Sequence, residues 1–233
     1  MDKLFVIMGS LDWSPLFITL KTAVVVTVLC FFLGIFAAAR MMHMKKGVRA
    51  VLDGIFTLPM VLPPTVAGFF LLLVFSLRRP LGAYLYGEFD IKLVQTWAGC
   101  VLAAFIIAFP LMYTNARAAF EQVDTDLIDA GKTLGMSDRT IFLRVVIPAA
   151  GPGLASGAVL SFARSIGEYG ATSMFAGNIA GRTGTIAQQI AYVIKDGDYL
   201  KAGIWTAIVV AIAFFVILLL NLLSNRKNDK RWK

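Results

Sequence analysis

The sequence predicts an all-α integral membrane protein with about five transmembrane helices, or six if a Gly-rich segment after the fourth holds another. Three observations carry this. The chain is 58% hydrophobic and only 15% charged over 233 residues, with a mean hydropathy of +0.77, more apolar surface than a water-soluble fold of that size needs. Its apolar residues gather in charge-poor runs of about 20, which at about 1.5 Å rise per helical residue match a hydrocarbon layer about 30 Å thick. Lysine and arginine crowd into alternate connections between those runs, the pattern that insertion leaves on the cytoplasmic side.

The first run covers residues 17–39, and its lone charge, Lys21, lies near one end where it can snorkel to the interface. Residues 53–77 form the second run and contain Pro59, Pro63 and Pro64. Three missing donors bend such a helix, and freed carbonyls suit the lining of a pathway as well as a static kink. Gly68 in the same run is expected to allow a close crossing. Residues 93–112 make the third run. The fourth, residues 145–169, carries Arg164 and Glu168 near its end, with Gly151, Gly153 and Gly157 permitting tight helix contact within the chain or between subunits. Residues 204–223 make the fifth. Residues 170–203 read as an external loop with a short helix.

Arg40, Lys45, Lys46 and Arg49 follow the first run, Arg117, Lys132, Arg139 and Arg144 the third, and Arg226, Lys227, Lys230, Arg231 and Lys233 occupy a basic tail, residues 224–233. With five crossings these regions share one side, so the amino terminus is expected outside and the carboxyl terminus in the cytoplasm. The opposite loops still hold Arg78, Arg79, Lys92, Arg182, Lys195 and Lys201. Membrane topology accounts for most of the formal net charge of +8; no basic stripe with base-stacking residues points to nucleic acid. Cys30 and Cys100 fall inside the runs and read as small apolar side chains. No basic leader with a small-residue cleavage site precedes the first run, which is expected to be permanent. The whole chain, residues 1–233, reads as a single transmembrane unit.

The polar loop at residues 117–147 is patterned as two helices. Asp124 can cap the first, with Val123 stapling against Ile128; Leu127, Gly131 and Leu134 recur at helical spacing, and Gly135 stands where a left-handed residue would stop it. Ser137 can cap a second helix that runs through Ile141 and Leu143 towards Pro148. Such a pair could lie on lipid headgroups or offer a docking surface. The short side chains of Ala130 and Gly131 favour docking, because they let another protein's backbone approach closely.

The pattern Asp129-Ala130-Gly131, three residues, Gly135, nine residues, Val145, one residue, Ile147-Pro148 resembles the signature loop of bacterial ATP-binding-cassette importer permeases. That signature reads Glu-Ala-Ala, three residues, glycine, nine residues, isoleucine, one residue, leucine-proline. The spacing is kept, and Asp129, Gly131, Val145 and Ile147 are the departures. Gly131 costs about 1 kcal/mol of helix stability relative to alanine. The resemblance implies the type I importer permease fold, with this loop as the coupling helix seated in a groove of an ATPase subunit. Ala130 and Gly135 would shape that contact, with Asp129, Lys132, Ser137 and Arg139 as polar neighbours.

The stretch SFARSIGEYGATSMFAGNIAGRTGT, residues 161–185, and LPMVLPPTVAGFFLL in the second run are similar to molybdate-transporter permeases, and less so to sulfate permeases. The implied assembly is a permease homodimer in the bilayer of a bacterial or archaeal cytoplasmic (inner) membrane, two ABC ATPases that bind ATP and Mg, and an extracytoplasmic molybdate-binding protein. Arg164 and Glu168, four apart on one helix face, can pair, which suits either tying helices together or an external mouth. Asn178 and Arg182 lie in a Gly-rich loop whose N–H groups could attract an anion, dock the binding protein, or simply connect. No phosphate-cradling GxxxxGK[ST] run, HExxH or clustered Cys/His is present, and His43 reads as a solvated loop residue. The chain is therefore expected to be a non-catalytic subunit with no cofactor of its own. A channel or secondary transporter is the competing class, against which stand the missing internal repeat and too few helices.

Overall fold

The computed structural model describes residue 9 and residues 11–228, with side chains through Leu218. Lys230, Arg231 and Lys233 of the basic tail lie outside the described residues. The first apolar run becomes α1 (Ser14–Met42), with Pro15 in its opening turn, where a missing N–H is harmless. Lys21 lies over the Trp97 ring, 3.8 Å from the centroid, and the indole Nε1 donates to Thr22 Oγ1 at 3.0 Å. An aromatic face thus stabilises the charge that falls within the apolar run.

The second run is not one kinked helix. It forms α2 (Lys46–Val61) and α3 (Pro64–Phe75), which meet at 115°. The break is chemical: Pro63 and Pro64 supply no N–H, and Pro63 forces Leu62 into extended backbone at φ −75°, ψ 141°. Pro59 sits inside α2 without ending it, and Asp53, read as the edge of a span, lies in mid-helix.

α4 (Pro80–Phe89) leads to α5 (Trp97–Glu121), capped by Thr96, whose hydroxyl accepts from Gly99 N at 3.2 Å. The polar loop holds α6 (Thr125–Thr133) and α7 (Asp138–Ile141). A π turn (Phe142–Val146) joins α7 to α8 (Ile147–Ile166), so that 138–166 is one apolar segment of 29 residues. Beyond it come α9 (Gly170–Phe175), α10 (Ile186–Lys195) and α11 (Tyr199–Asn228). Among the described residues, four helices are long and apolar enough to cross a membrane, or five if the bent pair counts as one span. With 10 and 6 residues, α10 and α9 are too short to add another.

Helix α5 is the centre, touching α1, α2, α3, α8 and α9. It achieves this with small side chains: Ala103, Ala104, Ala108 and Ala116 are all buried, which brings neighbouring backbones close and maximises dispersion contact where lipid offers no hydrophobic drive. Added as a Cβ, a methyl at Gly153 would sit 2.5 Å from Ala119 Cβ, and at Gly157 2.9 Å from Met112 Sδ. Both glycines therefore serve the α5–α8 crossing inside the chain. Gly68 does the same for α3 on α9, where a Cβ would approach the Ala171 carbonyl to 2.9 Å. Cys30 and Cys100 are buried free thiols. By contrast α2 buries none of its residues, and α11 only 11% of its apolar window.

Candidate functional site

The α6–α7 hairpin is built as the sequence patterning implies at its caps and differently on its faces. Asp124 accepts from Asp126 N at 2.9 Å, and Val123 is buried in the main core against which Ile128 packs. Gly135 takes φ +73°; Met136 N donates to Gly131 O at 3.1 Å and Gly135 N to Lys132 O at 2.9 Å. This is a Schellman stop, and it satisfies the carbonyls that the helix end would orphan. Ser137 Oγ accepts from Thr140 N at 3.3 Å to open α7.

Gly131 is not part of an outward small-residue pair. It is buried, and a Cβ there would lie 3.0 Å from Ile141 Cγ1; the position is small because α7 packs on it. Leu127 and Leu134 do not share its covered face either, being 50% and 79% exposed. The outward face of α6 is therefore Leu127, Ala130 and Leu134, a leucine–alanine–leucine stripe three and four residues apart. Around it stand exposed Asp129, Lys132, Gly135, Ser137 and Arg139, with Lys132 Nζ 3.1 Å from Asp129 Oδ1. Burying each such leucine is worth about 1.5–3 kcal/mol, so the hairpin offers apolar area on a rigid base.

Pro148 opens α8 directly after the π turn. Its ring cannot donate and would crowd the carbonyl four residues back. Widening the turn accommodates it: Ile147 N bonds to Phe142 O, five residues back.

At the far end of α8, Arg164 and Glu168 pair as expected, with Nη2 2.9 Å from Oε2. Glu168 is 1% exposed, and its Oε1 accepts from Ala171 N at 2.7 Å. The guanidinium lies off the hydrogen-bonding direction of Oε2, so charge alone holds that oxygen. Glu168 fastens the start of α9 onto the end of α8, a tying role.

Several N–H groups of the Gly-rich loop turn inward. Arg182, Thr183 and Gly184 all turn their N–H groups onto Ile179 O, at 3.0, 2.9 and 3.1 Å. Buried Thr183 completes the knot by accepting from Ile179 N at 2.9 Å. Arg182 lines a cavity of about 460 Å³ with Lys21, Gln95 and Trp97, whereas Asn178 lines a neighbouring one of about 230 Å³ with Asp12 and Gln189. A third, of about 580 Å³, lies beside the hairpin between α5 and α8, lined by Asn115, Gln122, Asp124 and Ser156 among others. Pro59, Pro63, Pro64, Arg164 and Glu168 line none of these three. The expected pathway residues are thus spread over the bend, the far end of α8 and the loop.

One cluster escaped the sequence reading. Arg117 Nε donates to Glu121 Oε1 at 3.0 Å and its Nη1 donates to Asp53; Arg49 reaches the same Glu121 oxygen, and Tyr113 Oη donates to Asp53. The spacing of Arg117 and Glu121, one helical turn, was the readable signal. Among the described residues no group of His, Cys, Asp and Glu could hold a metal ion.

A helical bundle with a capped polar hairpin matches known proteins over most of its length. Residues 30–233 match the family model described as "Binding-protein-dependent transport system inner membrane component". The chain is 36% identical over 209 residues to the molybdenum transport system permease protein ModB of Escherichia coli K12, covering 90% of this chain and 91% of that one. It is 35% identical over 205 residues to the putative molybdenum transport system permease protein YvgM of Bacillus subtilis, covering 88% and 90%. The sulfate transport system permease protein CysT of Escherichia coli K12 is 31% identical over 209 residues, covering 90% and 75%. Among solved structures, a bacterial alginate ABC transporter in complex with an alginate pentasaccharide-bound periplasmic protein superposes with a TM-score of 0.76 at 14% identity, covering 95% of this chain and 82% of that one. These likenesses fix the type I ABC importer permease fold, and the chain belongs to the family of binding-protein-dependent transport system inner membrane components.

Proposed function

We propose that this chain is the membrane subunit of an ATP-driven importer that carries molybdate, or its tungstate congener, delivered by an extracytoplasmic binding protein. Two copies would enclose the path. Two ATPase chains holding ATP and Mg would sit on the cytoplasmic face, where the α6–α7 hairpin and the carboxyl terminus project. The observation that carries the reading is the outward stripe Leu127, Ala130 and Leu134 on a hairpin locked by the Gly135 stop. Exposed leucines standing among exposed Asp129, Lys132, Ser137 and Arg139 call for a partner, and a locked base transmits displacement instead of absorbing it.

Transmission is direct. From Asp138 the chain continues without a break to Ile166, about 43 Å at 1.5 Å per residue, so movement at the hairpin is delivered to the end where Glu168 joins α8 to α9. The substrate reading is supported by relatives named for molybdenum transport, and the dispersal of cations suits a low-affinity path that releases its anion. The discriminating experiment reconstitutes the permease with its ATPase and binding protein in proteoliposomes. It measures ATP-dependent molybdate uptake against a sulfate competitor, together with crosslinking from Ala130→Cys. Uptake that resists sulfate, with Ala130→Cys captured by the ATPase, is the expected result. Conductance without ATP, or a crosslink to lipid alone, would overturn it.

A further inference from the structure

Helix α2 is an arm. None of its residues is buried, it turns through 115° into α3 at Leu62 and Pro63, and Val48, Val51, Ile55 and Leu58 face outward at half exposure or more. Its inward packing is Leu52 and Phe56, the latter edge-on to Phe109 and Tyr113 at 5.5 and 5.2 Å. The polar side-chain contacts tying it to α5 are Asp53 with Tyr113 and Arg117, and Arg49 with Glu121. The pairs Arg49–Glu121, Glu121–Arg117 and Arg117–Asp53 form a neutral chain, each carboxylate with an arginine, which the α2 backbone between Arg49 and Asp53 closes into a ring. The α5 half of that ring occupies the last turns before Asp124, the cap of α6.

We infer that Asp53, Arg117, Glu121 and Arg49 are positioning residues that make the α2 arm move with the hairpin, hinging at Leu62–Pro63, when the ATPase acts. This rests on the reading of the hairpin as the docking element. Apolar packing alone lets one helix slide along another, because dispersion is non-directional. A ring of charge-assisted bonds fixes register, and its two halves lie on either side of the α2–α5 contact, beside the start of the hairpin.

The test uses the assembled transporter in proteoliposomes with spin labels at Val48→Cys and Thr133→Cys, both exposed; the native Cys30 and Cys100 are buried and stay unlabelled. Native residues at the ring should give one narrow Val48–Thr133 distance, unchanged between nucleotide-free and ATP-vanadate states. Asp53→Asn and Arg117→Gln should each make it broad or nucleotide-dependent and lower molybdate taken up per ATP roughly ten-fold, the scale of a typical coupling between sites. The double variant Asp53→Asn/Arg117→Gln, which restores a neutral amide pair, should be no worse than the worse single variant. Single variants with native distances and native uptake would overturn the inference, as would a native distance that changes with nucleotide. Ala130→Cys crosslinking separates the two readings: if the ATPase crosslink is lost in the parent, the docking reading fails and this role with it, whereas an intact crosslink with unaltered variants defeats the ring alone.

Discussion

Replacing Gly135 tests the coupling hairpin with little collateral damage. The residue sits at φ +73°, and a Cβ built on it meets nothing within 4 Å. A side chain there therefore clashes with no neighbour, and the whole penalty is backbone strain. For an L-residue in the left-handed region that is about 1–2 kcal/mol, less for asparagine and more for a β-branched residue. A penalty of that size lowers the population of the closed Schellman stop by a factor of roughly 5–30, and it lowers the affinity of any partner that requires the closed form by up to the same factor. A series Gly135→Asn, Gly135→Ala, Gly135→Val should then uncouple in that order. The readings are molybdate uptake per ATP hydrolysed in proteoliposomes and stimulation of the ATPase by loaded binding protein, with thermal stability of the purified permease as control. Since the loop is exposed, the melting temperature should barely move while coupling falls. Full uptake in Gly135→Val would refute the argument, because the strain would then have no partner to disturb.

Gly131→Ala, which restores the residue usual in this signature, should change stability by less than about 1 kcal/mol, the helix gain offsetting a 3.0 Å approach to Cγ1 of buried Ile141; Gly131→Leu should destabilise by about 1–3 kcal/mol, seen as a lower melting temperature. Glu168→Ala strands the Ala171 N–H and leaves Arg164 without its partner, so a loss of about 1–3 kcal/mol is expected, with Glu168→Gln milder because the amide oxygen still accepts. Comparable melting temperatures for the two would contradict the tying role. Gly153→Ala must move α8 off Ala119 and should lower the melting temperature, whereas Gly203→Ala, with open space around it, should not.

The helical bundle, its spans and the caps at Asp124, Gly135 and Ser137 were legible because each depends on local chemistry: apolar length, a short polar acceptor, a permissive backbone. Faces were harder. Leu127, Gly131 and Leu134 share a period, yet which side of α6 is covered depends on Ile141, ten residues beyond Gly131, arriving against it. The prolines of the second run announced a bend, but its size of 115° depends on what α3 finds to pack on, namely α9 through Gly68 and Ala171. The ring around Asp53 joins residues some 60 positions apart and leaves only its Arg117–Glu121 half visible in the sequence. In the Gly-rich loop, composition says how many N–H groups are available and nothing of where Ile179 O draws those of Arg182, Thr183 and Gly184.

The wide turn at Phe142–Val146 has a consequence for how the molecule floats. Bonds spaced five residues apart, followed by a proline that cannot donate, deprive the turn of one helical N–H, so a carbonyl there needs another donor. Oil cannot solvate that oxygen; water and phosphate headgroups can. With exposed Arg144 in the same turn suited to lipid phosphates, the segment would act as a waterline, favouring a depth at which the bundle keeps this turn at the headgroups and the hairpin clear of the bilayer.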